Sequence, residues 1–146
     1  MEQLLPFLKI NYHIDATHNI FTVKTAPVFD YKDIVVHYGN LMIDKNYYVG
    51  LNGLYDFSQL EHITGDCQML LDTAEVMNNP QVINRPSKTA IVLPDSNGEA
   101  CEVMARFCRE TFQSMNQFRL FSVSDIAQVE RFLSLPTQYH KLAKCA

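Results

Sequence analysis

Thr89-Ala90-Ile91-Val92-Leu93 is an unbroken run of small and apolar side chains, closed by Pro94. Successive side chains of a strand point to opposite faces, so a strand of this composition needs cover on both sides of its sheet. The flanking sequence supplies helices for that cover. Downstream, Ala100, Val103, Met104, Phe107 and Thr111 recur at helical spacing, and Ser96 and Glu99 stand three apart before them as in a capping box. Glu102, Arg106 and Glu110 alternate in sign four apart on the polar face of the same helix. Upstream, Met69, Leu70, Thr73, Ala74 and Met77 form a second apolar stripe that ends near Asn78-Asn79-Pro80, and residues 79 to 87 read as loop. A buried strand between two amphipathic helices belongs to the α/β class.

The alternation extends along the chain. Lys9 to Ile14 and Ile20 to Lys24 flank the turn-like Asp15-Ala16-Thr17-His18-Asn19 and predict a hairpin. Tyr31, Ile34, Val35, Tyr38 and Met42 place a helix over residues 30 to 43, with Asp30 as its cap. Tyr47 to Phe57 reads as a buried strand despite Gly50 and Gly53, and Phe118 to Val123 as the last strand. Ser124 is the expected cap of a final helix bearing Ile126, Ala127, Val129, Phe132 and Leu133, stopped at Ser134-Leu135-Pro136. The predicted order is ββαβαβαβα: one mixed, mostly parallel five-stranded sheet with about four helices and right-handed crossovers. A chain of 146 residues suits a single domain over 1–146, with a core at about 9–134 and a C-terminal tail at 135–146, of which Thr137 to Ala146 is expected to be a disordered terminus by default, with docking on a neighbour as the alternative.

Net charge is −4, yet no Lys or Arg falls between Asn46 and Asn84. Asp56, Glu61, Asp66, Asp72 and Glu75 give that interval a formal charge of −5 with His62 neutral. Nucleic-acid affinity comes largely from clustered cations, so no nucleic-acid partner is expected, whereas a protein partner with a basic surface would complement the interval. Glu2 and Pro6 do not suit a signal peptide, and no run reaches the length of a membrane span. Cys67, Cys101, Cys108 and Cys145 contain no C-x-x-C pair, which fits reduced thiols and a cytoplasmic location. Cys101, Met104 and Cys108 share one helical stripe and are expected to pack as apolar groups.

The stretch most suggestive of a site is 56 to 66, where the apolar strand ends in Asp56 and Ser58 and a polar loop leads to Thr64-Gly65-Asp66 at a helix start. In α/β folds, sites collect beyond the carboxyl ends of strands. Thr64 reads as an N-cap there, and Asp66 as a carboxylate favoured by the helix dipole by about 0.3 to 1 kcal/mol. Asp56, Ser58 and His62 lie too close in sequence for a triad and lack a nucleophile elbow, so no catalytic residue is assigned. His13, His18, His37, His62 and His140 are scattered and read as solvated, and His62 with Asp66 falls short of a zinc site, so neither a metal nor a cofactor is expected. A small-molecule or lipid crevice at the strand ends would gather Ser58 with Asp95, Ser96 and Ser124. Tyr47, Tyr48, Tyr55 and Phe57 are expected to pack in the core rather than form an exposed aromatic patch. Association into a homo-oligomer is compatible with all of this.

Over roughly residues 9 to 134, the chain resembles the STAS superfamily of anti-sigma-factor antagonist domains, in particular its SpoIIAA-like bacterial branch. The resemblance rests on Asp56-Phe57-Ser58 closing the middle strand, Lys88-Thr89-Ala90-Ile91-Val92 as the next strand, and Phe121 followed by Asp125, Ala127, Phe132 and Leu133. It implies a non-catalytic regulatory module that binds a protein partner through the loop and helix start at 58–66, with Asp56, Ser58, Glu61, His62, Thr64 and Asp66 at that surface. It also implies a phosphorylated Ser or Thr near the helix start. Here Gly65 and Asp66 stand where such domains carry adjacent Ser residues, leaving Thr64 as the nearby hydroxyl.

Overall fold

The computed structural model describes residues 9–94, 98–137 and 139. Strands β1 (Ile10–Asp15) and β2 (Ile20–Thr25) form an antiparallel hairpin in register from Ile10 opposite Thr25 to Asp15 opposite Ile20. A single 3-10 turn, Ala16–His18, joins them, with the Asp15 carboxylate accepting from the His18 amide. Asn19 follows at φ 55°, a left-handed conformation that Asn adopts more readily than most residues.

The chain continues through β3 (Val28–Asp30), α1 (Tyr31–Met42), β4 (Asn52–Asp56), β5 (His62–Thr64), α2 (Gln68–Asn78), β6 (Ser87–Leu93), α3 (Gly98–Glu110), β7 (Asn116–Ser122) and α4 (Ile126–Phe132). The main sheet has the order β1-β2-β4-β6-β7, and every neighbouring pair after the hairpin is parallel. The molecule is therefore α/β, with a five-stranded, mostly parallel mixed sheet. β3 and β5 pair separately as a short parallel ribbon, Val28 to Asp30 against His62 to Thr64, and they interrupt the predicted element order.

Both faces of β6 are covered, as its apolar run requires. Ile91 and Leu93 join the core under α1, α2 and α3, with Phe29, Ile34, Leu70, Ala74 and Phe107. Ala90 and Val92 face the other way into a second core with Leu54, Val129, Phe132 and Leu133, which α4 covers. The Lys88 ammonium and the Arg119 guanidinium lie 5.3 and 5.2 Å from the Phe132 ring centre, so two cations flank the rim of this second core. Tyr139 is 7 % exposed and donates to the Asp15 carboxylate at 2.8 Å. This part of the tail thus docks on the hairpin, contrary to the disordered terminus expected; the remainder of 140–146 lies outside the described residues.

Other expectations need correction. Tyr47 to Leu51 is not strand: the Tyr47 amide donates to Asp44 and the Leu51 amide to Tyr48, closing two turns before β4 begins. Met69 points outward on α2, and Leu71 takes its place in the core. The helical phase, set by packing on the sheet, is shifted from the one read off the apolar positions. Cys101 is exposed on α3, while Cys108 is partly buried and its thiol is pushed up to about 11 by burial. Ser124 does not cap α4. It sits in a 3-10 turn, Val123–Asp125, whose cap is Ser122. The predicted cap Ser96 lies outside the described residues. On the polar face of α3, Arg106 and Glu110 do pair, at 2.6 Å, in an exposed bridge of little weight for stability.

Candidate functional site

At the carboxyl end of β4 the chain turns sharply. The Phe57 amide donates to Val92 of β6, and the Ser58 amide donates to the Asp56 carboxylate at 3.0 Å. Asp56 is only 7 % exposed, so its side chain holds the turn and is not presented to solvent. The Glu61 and His62 amides both donate to the Pro27 carbonyl, at 2.7 and 3.1 Å, and β5 then runs alongside β3. The polar loop expected from 58 to 66 is thus pinned to the start of α1.

Asp30 is the centre of that attachment. As N-cap of α1, its carboxylate accepts from the Lys32 amide at 2.8 Å, while Asp33 reaches back to the Asp30 amide in a capping box. The Thr64 hydroxyl donates to the same Asp30 carboxylate at 3.1 Å. The Lys32 amide holds the Asp30 carboxyl below its ordinary range; burial opposes this, and the Thr64 bond adds to it. Gly65 crosses directly above at φ +87°, and a Cβ there would lie 2.4 Å from Asp30 Oδ2. Thr64 is therefore a strut to α1 and not the cap of α2. Asp66 takes the capping role, accepting from the Gln68 amide at 2.9 Å, while the Cys67 side chain makes no capping bond. A phosphoryl group on Thr64 would be placed against the Asp30 carboxylate, where like charges repel.

Glu61, His62, Thr64 and Asp66 are all exposed along this ribbon and loop. Of the residues expected in a crevice, Asp95 and Ser96 lie outside the described residues, and Ser124 is exposed with its hydroxyl 2.9 Å from that of Ser122.

The other end of the layer holds a feature that the sequence reading missed. A cavity of about 60 Å³ lies between sheet and helices, bordered by Phe21 near the start of β2, Asn116 at the start of β7, Tyr47 before β4, and Tyr38, Leu41 and Met77 on the later turns of α1 and α2. Helices on a parallel sheet run against its strands, so these residues stand toward the amino end of the strands, while Phe57, Ile34 and Leu70 carry the lining toward the carboxyl end. Beside it, His37 is 4 % exposed, and its Nε2 lies 3.0 Å from the Tyr55 hydroxyl, with Tyr12 edge-on to the imidazole at 5.5 Å between ring centres. Burial lowers the His37 pKa to about 4, so the ring is neutral at pH 7. Burial also raises the Tyr38 phenol to about 12 and drives Tyr55 further upward. Tyr47 and Phe57 accompany Tyr55 in this core, while Tyr48 is exposed.

His37 was expected to be solvated. Its signal lay in the spacing Ile34, His37, Leu41, which puts it on the buried stripe of α1. The Tyr38 hydroxyl is buried without a hydrogen-bond partner among the described residues. Tyr38→Phe is accordingly expected to leave stability unchanged or raise it by up to about 1 kcal/mol, since an unsatisfied buried hydroxyl costs about 1 to 3 kcal/mol. Tyr55→Phe, which removes the bond to His37, is expected to lose about 1 kcal/mol. Urea denaturation midpoints would rank the pair; a Tyr38→Phe loss as large as that of Tyr55→Phe would mean that the Tyr38 hydroxyl is satisfied in solution.

Among the described residues no helix is long and apolar enough to cross a membrane. Compared with protein-family models, curated proteins and solved structures, the chain matches none.

Proposed function

We propose that the chain is a non-catalytic, STAS-like interaction module that binds a protein partner through the acidic ribbon and helix start at 58–66. The observation that carries this reading is the Asp30, Thr64 and Gly65 knot. It fixes the backbone of the loop while leaving the Glu61, His62 and Asp66 side chains at the surface. A rigid, solvent-facing acidic segment loses little conformational entropy on docking, which favours recognition. Support for the STAS likeness comes from four parallel neighbouring strands laid out in chain order, with the 58–66 loop at their carboxyl end. Thr64, as a strut, serves as a structural hydroxyl, and regulation by phosphorylation would act by breaking its bond to Asp30.

The partner is a protein with a basic surface, and electrostatics would raise its on-rate more than its affinity. Affinity capture from the source organism's lysate, at low and at roughly 0.5 M salt, tests this through the Debye screening of exposed charges. A partner held by the wild type should be lost at high salt and with Glu61→Lys plus Asp66→Lys. Retention of the same partner under both conditions would remove the acidic loop as its docking surface. The alternative, a small-molecule or lipid crevice at the carboxyl ends of the strands, has in its favour the paired Ser122 and Ser124 hydroxyls there.

A further inference from the structure

We infer that the outer edge of β7 is a docking site for an extended segment of a partner protein, which joins the five-stranded sheet as an added strand and sets a carboxylate opposite Arg119. The site is separate from the acidic loop, which follows β4, two places away in the sheet.

The hydrogen-bond pattern fixes which groups face outward. The Ser87 amide donates to the Met115 carbonyl, and the backbone groups of successive residues in a strand point to alternate sides. Gln117, Arg119 and Phe121 therefore turn their amides and carbonyls toward β6, and Phe118 and Leu120 turn theirs away from it. Among the described residues no strand lies on that side of β7, and its register with β6 runs one to one from Asn116 to Ser122 without a bulge. The strand contains no Pro, so neither a bulge, a proline nor a described neighbouring strand closes this edge. β1, the other edge of the sheet, has no Lys or Arg and so offers no comparable charge to an incoming strand.

Arg119 selects the occupant. It stands exposed between the two outward-facing residues, its guanidinium beside the Phe132 ring, and among the described residues no carboxylate pairs with it. A strand that bonds to both Phe118 and Leu120 places one of its own residues directly opposite Arg119, about 4.5 to 5.5 Å away. A second copy pairing antiparallel through the same groups would set Phe118 against Leu120 and Arg119 against the second Arg119, where like charges destabilise the pair. An Asp or Glu at that position is favoured instead, and Lys88 beside the same ring adds to the positive field. On the opposite face Phe118 and Leu120 are half-buried, with Phe118 edge-on to Phe107 of α3. Apolar residues flanking the carboxylate in the added strand would continue that layer. The recognised segment is thus extended, with an acidic residue between two apolar ones.

Selection of a displayed library of random peptides, about ten residues long, on the full chain tests this. Enriched peptides should carry Asp or Glu between apolar residues. Bound to the 15N-labelled chain, they should slow hydrogen exchange at the Phe118 and Leu120 amides. Arg119→Glu should weaken such a peptide by about fivefold, and the same peptide with Lys in place of its carboxylate should recover that loss on the variant. An empty selection would overturn the site, as would peptides that bind without protecting those two amides. Equal binding of the acidic and the Lys peptide to the wild type would overturn Arg119 as the selector. Protection of both amides in the free chain, with sedimentation as a dimer, would assign the edge to a second copy and overturn the proposal. The exchange measurement on the wild type decides the site even if Arg119→Glu folds poorly.

Discussion

Replacing Gly65 with Ala is expected to destabilise the protein by about 2 to 4 kcal/mol, combining a positive-φ penalty with a steric clash. At φ +87° an L side chain is strained whatever the space around it, and here there is no space. The added methyl would stand 2.4 and 2.5 Å from the two Asp30 carboxylate oxygens and 2.7 Å from its Cγ. To relieve this, either the β5 to α2 connection lifts away or Asp30 rotates, releasing the Lys32 amide and the Thr64 hydroxyl together. Equilibrium urea unfolding measures the loss. Pairing the change with Asp30→Ala separates the two causes. If the clash contributes, the double variant should lose less than the sum of the single losses. A Gly65→Ala loss below about 1 kcal/mol would mean that neither strain nor clash operates at this crossing. The prediction also bears on function, because the same crossing holds the exposed acidic loop in place.

The second large effect is a loss of stability in mild acid, centred on His37. Its ordinary pKa of 6.5 is lowered to about 4 by burial, so the unfolded chain binds this proton at a higher pH than the native protein does. Stabilisation from this group is complete above about pH 6.5 and is lost as pH falls toward about 4, below which both states carry the proton. The full excursion, reached only below about pH 4, is on the order of 3 kcal/mol. The groups that face the ring do not offset the charge: a Tyr55 hydroxyl at 3.0 Å and the edge of Tyr12, whose own hydroxyl is committed to Asp44 at 2.6 Å. His37→Gln has no proton to gain, so its stability should fall less steeply than that of the wild type between pH 6.5 and 4, although it starts lower at pH 7. Parallel curves across that window would show that His37 is not desolvated in the native state.

The apolar run at 89 to 93 was a sufficient guide to the central strand because a strand with two apolar faces can be buried only inside a covered sheet. The same reasoning located α1 and its Asp30 cap, since capping depends on residues adjacent in sequence. It placed β4 too early, because Tyr47 and Tyr48 carry the side chains of a strand while turn hydrogen bonds to Asp44 and Tyr48 claim the backbone. The short ribbon of β3 and β5 had no periodic signal, each strand having three residues.

At the candidate site, the exposure and acidity of Glu61 and Asp66 were readable, and so was the need for a cap near Thr64. That Asp66 would supply the cap, and that Thr64 would tie itself to Asp30 thirty-four positions away, was not. Gly65 could be read as a loop residue, but the carboxylate beneath it belongs to another helix.

Local pattern therefore determined the α/β class, the capped first helix and the cation-free interval, because periodicity, capping and charge are properties of neighbours along the chain. Tertiary packing alone decided the neutrality of His37, the unpartnered hydroxyl of Tyr38, the cavity beside it and the anchoring of the acidic loop. Each of these depends on desolvation or contact between groups distant in sequence, and no window along the chain contains both partners.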